Sequence, residues 1–157
     1  VANWQEFSTQ APDLAREVRA RFEAHATHVL ATLRRDGSPR VSGIEVDYAG
    51  AELMAGSMLD ARKARDLLRD GRFALHAHPG PAGDAKISGV AVEVTDQAEI
   101  EAVQGDSSPC NLFRLELREA VLTSVEGTTL VAESWRADGR LIRFERPENG
   151  PVVRIER

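Results

Sequence analysis

Arg62 and Lys63 stand side by side in A-G-S-M-L-D-A-R-K-A-R-D-L-L-R-D-G, residues 55–71. The stretch reads as a helix that opens at Asp60 as N-cap, buries Ala61, Ala64, Leu67 and Leu68, and ends at Gly71. Two cations in a first turn oppose the partial positive charge of a helix N-terminus. They belong there if an anion lies between them and the free N–H groups, which is how a phosphate is held. The competing reading is a solvated helix in which Arg62 pairs with Asp66 four residues on. A carboxylate at Asp60 counts against the phosphate, because it competes for the same N–H groups.

Catalysis by amino-acid side chains alone has little support. The chain has no Gly-x-Ser-x-Gly elbow, no His-Glu-x-x-His pair and no P-loop. His76 and His78 fall on one face of a strand, two residues apart, without an evident third metal ligand. His25 and His28 flank a helix–strand junction and read as structural. Cys110 has no His or Asp beside it that would make it a nucleophile. A bound cofactor is the better source of chemistry. Gly43 interrupts one strand and Gly56 ends another, and a glycine inside a strand marks a close approach by a ligand or another backbone. Ser42 and Ser57 supply hydroxyls beside them. A planar ring over the glycines with its phosphate at Arg62 and Lys63 accounts for all these positions, although a bulge or tight bend explains each glycine singly.

The elements that must position these residues follow from periodicity. Pro12 and Asp13 open a helix whose stripe is Leu14, Val18 and Phe22, ending near His25; Trp4 and Phe7 form a short turn beneath it. From Thr27 the period changes to two. Strand, turn (Arg35-Asp36-Gly37-Ser38), strand, turn (residues 48–51) and strand lead into the basic-tipped helix. R-F-A-L-H-A-H is a fourth strand and residues 85–95 a fifth. One or two helical turns follow at residues 98–104. Shorter strands are expected at residues 111–117, 121–125, 129–135 and 141–145, and the last residues form either a strand or a loose tail. Many short strands with regular turns predict a mainly β (α+β) barrel in preference to a sandwich, since a barrel removes exposed edges.

Composition bounds the function. At 157 residues the chain reads as one domain, 1–157, and its net charge of −5 argues against a general nucleic-acid binder. One cysteine gives no disulfide framework. No apolar run is long enough to span a membrane, and the N-terminal residues lack the pattern of a signal peptide. The expectation is a soluble cytoplasmic protein with a small-molecule substrate. Apolar residues on both faces of V-A-V-E-V and L-E-L-R-E-A-V-L predict a C2 homodimer.

H-V-L-A-T-L-R-R-D-G-S-P-R-V-S-G followed by G-S-M-L-D-A-R-K-A-R-D-L-L-R-D-G-R-F-A-L resembles the pyridoxamine 5′-phosphate oxidase-like superfamily of flavin-binding split barrels. The resemblance covers residues 27–75 well and the remainder in strand pattern. It implies a six-stranded antiparallel split β-barrel with an N-terminal helix and a crossover helix after strand three, dimeric, with FMN in clefts between subunits. It also implies an FMN- or F420-dependent oxidoreductase, a carrier or haem-binding split barrel being the alternative. The family's phosphate pair maps onto Arg62 and Lys63. Its ring contacts map onto Arg40, Val41, Ser42, Gly43 and Ile44 on strand two and onto Ala55, Gly56 and Ser57 on strand three. The C-terminal Trp and Arg-Leu-His motif of the true oxidases has only Trp135 and Arg140-Leu141 as counterparts, which argues against pyridoxamine phosphate as the substrate.

Overall fold

A computed structural model describes residues 1–157. The chain runs through α1 (Trp4–Gln10), α2 (Pro12–Glu23), β1 (His28–Leu33), β2 (Pro39–Ala49), β3 (Glu52–Met58), α3 (Arg62–Arg69), β4 (Arg72–His76), β5 (Asp84–Val94), α4 (Gln97–Gln104), β6 (Cys110–Glu126), β7 (Thr129–Arg136), β8 (Leu141–Arg146) and β9 (Val153–Glu156). Strands β3-β2-β1-β4-β5-β6 lie in that order, all antiparallel, and β3 pairs back onto β6. This closes the expected six-stranded barrel. β7, β8 and β9 extend the sheet beyond β6.

The turn residues set the register of the first hairpin. Gly37 takes φ +83° and the Asp36 carboxylate accepts from the backbone and hydroxyl of Ser38, so Leu33 faces Pro39 across the turn. The inward positions of the strands supply the core: Leu30, Ile44, Ala55, Leu75, Ile87, Phe113 and Leu115 are all buried. Against them pack Phe7 of α1, Leu14, Val18 and Phe22 of α2, and Ala64 and Leu67 of α3.

Four features depart from the sequence reading. Trp4 and Phe7 lie on a full helix, not a turn, closed by a capping box in which Asn3 and Glu6 exchange hydrogen bonds. Residues 111–117 and 121–125 form one 17-residue strand, β6. Its register with β5 shifts between Ser88 and Gly89, leaving Arg118 as an extra residue. That bulge changes the parity of the inward face from Leu115 and Leu117 to Ala120 and Leu122, which breaks the alternation in the sequence. Asp60 is not the cap of α3: it sits in the left-handed region at φ +59°, and its N–H donates to the Asn111 side chain at 2.9 Å. The N-cap is Ala61, whose side chain offers no hydrogen bond. Gly71 lies beyond the cap residue Asp70. A Cβ there would meet the Ala91 carbonyl at 2.6 Å, so close approach to β5, and not helix termination, requires glycine.

Candidate functional site

β2 and β3 build the floor of the site. Along β2 the burial alternates: Arg40, Ser42, Ile44 and Val46 turn inward, whereas Val41, Gly43 and Glu45 face out. Gly56 lies directly across from Glu45, two residues from Gly43, so both glycines share the outer face. Neither has a positive φ, and no atom of the chain comes within 4 Å of where a Cβ would be at either position. Nothing within this chain therefore requires glycine at 43 or 56. The contrast is Gly89, where a Cβ would lie 1.8 Å from the Glu116 carbonyl oxygen.

A groove of about 290 Å³ runs over this floor, and Thr27, Gly43, Ile44, Gly56, Ser57 and Lys63 contribute to its lining. Lys63 Nζ donates to the Gly43 carbonyl, so the ammonium is fixed at one end of the glycine floor. A second depression of about 520 Å³ shares Glu45, Gly56, Ser57 and Met58 and continues to the α4–β6 loop at Ser108 and Cys110. The Cys110 thiol is pushed up from its ordinary value by burial and by Asp106, which keeps it protonated.

Ser42 and Ala55 do not reach this groove. The Ser42 hydroxyl is buried without a hydrogen-bond partner, and Ala55 is core. Arg40 also turns away from the glycine floor. Its Nε donates to Asp66 at 2.7 Å, and the Thr32 hydroxyl donates to the same carboxylate oxygen at 2.8 Å. Arg69 pairs with the other oxygen at 3.0 Å and also donates to the Leu33 carbonyl. Asp66 thus occupies the buried face of α3 that the sequence assigned to Leu68, and Leu68 is exposed. Burial alone would raise the Asp66 carboxyl, but hydrogen bonds from Arg40, Arg69 and Thr32 outweigh it and hold the group below its ordinary value. Asp66 is committed to Arg40 and Arg69 and does not pair with Arg62.

Adjacent residues on a helix diverge by about 100°, and the two cations line different depressions. Lys63 lines the glycine groove, whereas Arg62 lines an open basin of about 890 Å³ that Arg40 and Arg65 share. Both cations stand in the first turn of α3, where no acidic residue accompanies them.

Three of the four histidines gather where α2, β1 and the residues after β4 meet, while His76 stands with Val29 and Ala74 on the outer barrel wall. The rings of His25 and His78 lie 4.1 Å apart, the His78 N–H donates to His28 Nδ1 at 3.1 Å, and His28 itself is buried against Phe22. His76 Nδ1 faces the Ala77 carbonyl, and its Nε2 is 3.9 Å from Asp84. No cluster of three or more His, Cys, Asp or Glu has the geometry of a metal site. Trp135 is completely buried, stacks on Phe7 and donates to the Gln10 side chain at 2.9 Å. It is a core residue with no face toward the groove.

The pyridoxamine 5′-phosphate oxidase sequence profile matches residues 14–120, from α2 into β6. The chain belongs to this family. Members of the pyridoxamine 5′-phosphate oxidase family and related barrels share its fold at low identity. PhzG from Burkholderia lata, solved with tetrahydrophenazine-1-carboxylic acid, is 17% identical, with TM-score 0.56 over 96% of this chain and 92% of its own. A haem-binding protein from Mycobacterium smegmatis is 15% identical, with TM-score 0.62 over 91% and 88%. A Clostridium acetobutylicum protein related to general stress protein 26 is 11% identical, with TM-score 0.64 over 78% and 94%. No protein of curated function matches the sequence. No helix is long and apolar enough to cross a membrane.

Proposed function

We propose that this member of the pyridoxamine 5′-phosphate oxidase family is an oxidoreductase that binds FMN or the deazaflavin F420 over the Gly43–Gly56 floor and acts on a small organic molecule. One observation carries the reading: two glycines share an outward face with open space over both, beside a fixed ammonium. A ring system lying flat on backbone requires the absence of side chains there, and its phosphate would be held by Lys63 from the groove and by Arg62 from the crest of α3. A bound flavin or deazaflavin supplies hydride transfer. The chain's own contribution is to hold and orient the ring, to exclude water from one face with the β2–β3 floor, and to neutralise the phosphate. The buried Trp135 does not reach the groove.

The site is shallow in one chain, which supports assembly as a homodimer. The outer wall of the barrel around Val29, Ala31, Ala74 and Val121 is apolar, with Val29 39% exposed. A second copy seated there would close the groove from above. The decisive experiment is the visible spectrum and mass of the molecule that co-purifies, followed by titration of FMN and F420 into the emptied protein. A flavin or deazaflavin spectrum that Gly56→Val abolishes supports the reading; binding of neither cofactor ends it.

The alternative is a non-catalytic haem carrier. It draws on the haem-binding protein of similar fold and on the exposed, stacked His25 and His78. A Soret band that His25→Ala with His78→Ala removes, and Gly56→Val does not, would put this reading first.

A further inference from the structure

The larger of the two depressions that meet at Gly56 is a cleft with unlike walls. Glu45 and Asp47 stand on one side, on the outer face of β2, and Val103 and Gln104 of α4 with Ser108 of the following loop stand on the other. The β2–β3–β6 register puts the floor between them, with Gly56 opposite Glu45 and Met58 opposite Cys110. The α4 wall is fixed. Ile100 is buried with Met54 and Leu112, and Asp106 accepts from Gln104 Nε2 at 2.7 Å and from the Ser108 N–H at 2.8 Å.

The cleft carries charge of one sign. Glu45 and Asp47 are exposed and pair with no cation, and no lysine or arginine lines the cleft. Arg114 shares the outer face with Asp47 through Met54, but it is held by Glu99 and does not reach the lining. Two of the cleft's own donors are already spent. The Ser57 hydroxyl donates to the Met58 carbonyl at 3.2 Å, and Gln104 Nε2 also donates to the Ser108 carbonyl at 2.9 Å. What Gln104 retains is Oε1, an acceptor buried without a hydrogen-bond partner. A buried acceptor is unfavourable until a donor is supplied. Two free carboxylates and an orphaned carbonyl oxygen together call for a ligand that is positively charged and rich in N–H groups.

We propose that this cleft selects a substrate with a cationic nitrogen, an amine or guanidine on a small apolar body, and that Glu45 and Asp47 hold its charge beside the ring floor. The inference rests on the reading of Gly43 and Gly56 as that floor, because Glu45, Gly56, Ser57 and Met58 line both the groove and the cleft. It adds the sign of the substrate. Lys63 stands at the Gly43 end of the floor, toward the cofactor's phosphate, and Asp47 lies four residues along β2 at the other end. An anionic substrate meets two carboxylates with no counter-charge, so the cleft rejects it.

The test is titration of benzylamine, benzyl alcohol and benzoate, probes of one shape and different charge, at neutral pH and constant ionic strength. Calorimetry is run on the full chain with cofactor and again on the emptied chain, and a difference spectrum of the loaded protein reports a probe beside the ring. Benzylamine should bind at least about fivefold more tightly than benzyl alcohol, one exposed charge pair being worth up to that much, and benzoate more weakly than either. Glu45→Gln combined with Asp47→Asn should bring benzylamine and benzyl alcohol within about twofold of each other, and Glu45→Lys combined with Asp47→Lys should turn the preference toward benzoate. Both side chains are exposed and give up no ion pair, so the fold should tolerate these changes. Glu148→Gln removes the same charge from an exposed position outside the cleft and should leave the preference within about twofold of the wild type. Equal affinity for benzylamine and benzyl alcohol in the loaded and emptied chain alike overturns the proposal. So does an equal loss of preference in Glu148→Gln, which would make it an effect of net charge. Failure of FMN and F420 to bind ends the cofactor reading in its own titration, while the emptied chain still reports the charge preference, so the two failures are distinguishable.

Discussion

The Asp66 carboxylate and the Arg40 Nε meet at 2.7 Å between α3 and β2, with the acid side chain 4% exposed. The pair ties the crossover helix to the strand that forms the floor of the groove. Breaking a buried pair from one side leaves an uncompensated charge and costs about 3 kcal/mol. Asp66→Asn should lose about that much by denaturant unfolding. The acid limb gives a second signature. The folded carboxyl lies below its ordinary value, so its contribution is full above the unfolded value of about 3.9 and is lost as pH falls through the lower folded value. Asp66→Asn should therefore flatten stability against pH below about pH 4.

Gly56→Val and Gly89→Ala should separate a ligand glycine from a packing glycine. At Gly56 a side chain meets open space in an extended strand, so valine should leave the empty protein as stable or raise it by up to about 1 kcal/mol. The same change should abolish cofactor binding. At Gly89 even a methyl group runs into the Glu116 carbonyl, and alanine should cost about 1–3 kcal/mol. A thermal melt of each variant without cofactor, with FMN and F420 titrations, reads both effects.

Much of this was legible in the sequence because the barrel is built from strict alternation. Turn glycines at 37, 50 and 139 set strand ends and adopt positive φ, and the Asp-Gly and Ala-Gly signals announce them. What escaped depends on contacts between distant residues. Asp60 looks like an N-cap until Asn111, 51 residues away, captures its N–H. Asp66 and Leu68 exchange roles because Arg40 and Thr32 create a polar socket beneath α3 that hydrophobic periodicity does not encode. The joined β6 was hidden by one bulge, whose effect on parity looks in sequence like a loop. The two site glycines were readable as a hint in the sequence, but their common face follows only from the β2–β3 register.

Arg62 and Lys63 should differ in their effects. Both stand in the first turn of α3, which has no side-chain cap and no acidic residue. Arg62→Ala removes a cation from the positive end of a helix and breaks no pair, so the empty protein should gain about 0.3–1 kcal/mol. Cofactor affinity should fall about ten- to a hundredfold through the lost charge-assisted contact. Lys63→Gln gives up the bond to the Gly43 carbonyl as well, so it should gain less stability while weakening the cofactor. Unchanged affinity in both variants would leave the phosphate assignment without support.

Assembly is testable without cofactor. A homodimer closed over the outer barrel wall should bury an obligate-sized interface, above about 2,000 Å² in total. Sedimentation at micromolar concentration should give a dimer. Ala74→Arg, on the exposed face beside Val29 and Ala31, should shift it to monomer and lower cofactor affinity. A wild-type monomer would remove the closing subunit from the proposed site.

His28 offers the last prediction. Its ring is 3% exposed, packs edge-on against Phe22 and accepts the His78 N–H at Nδ1. That bond requires Nδ1 to be unprotonated, so a second proton would set two donors against each other. Burial, then His78 and His25, push the His28 value down, with a hydrogen bond to the Phe22 backbone pulling the other way. A group whose folded value lies below its unfolded value contributes stability fully above the unfolded value, about 6.5 for histidine, and loses it as pH falls through the folded value. The wild type should therefore lose stability on acidification below about pH 6.5. His28→Gln should lose less over the same interval, from a lower starting stability, because glutamine can accept the His78 N–H and does not titrate. Denaturant unfolding at pH 7.5 and 5.5 measures both slopes. Equal slopes would overturn the assignment of this acid sensitivity to His28.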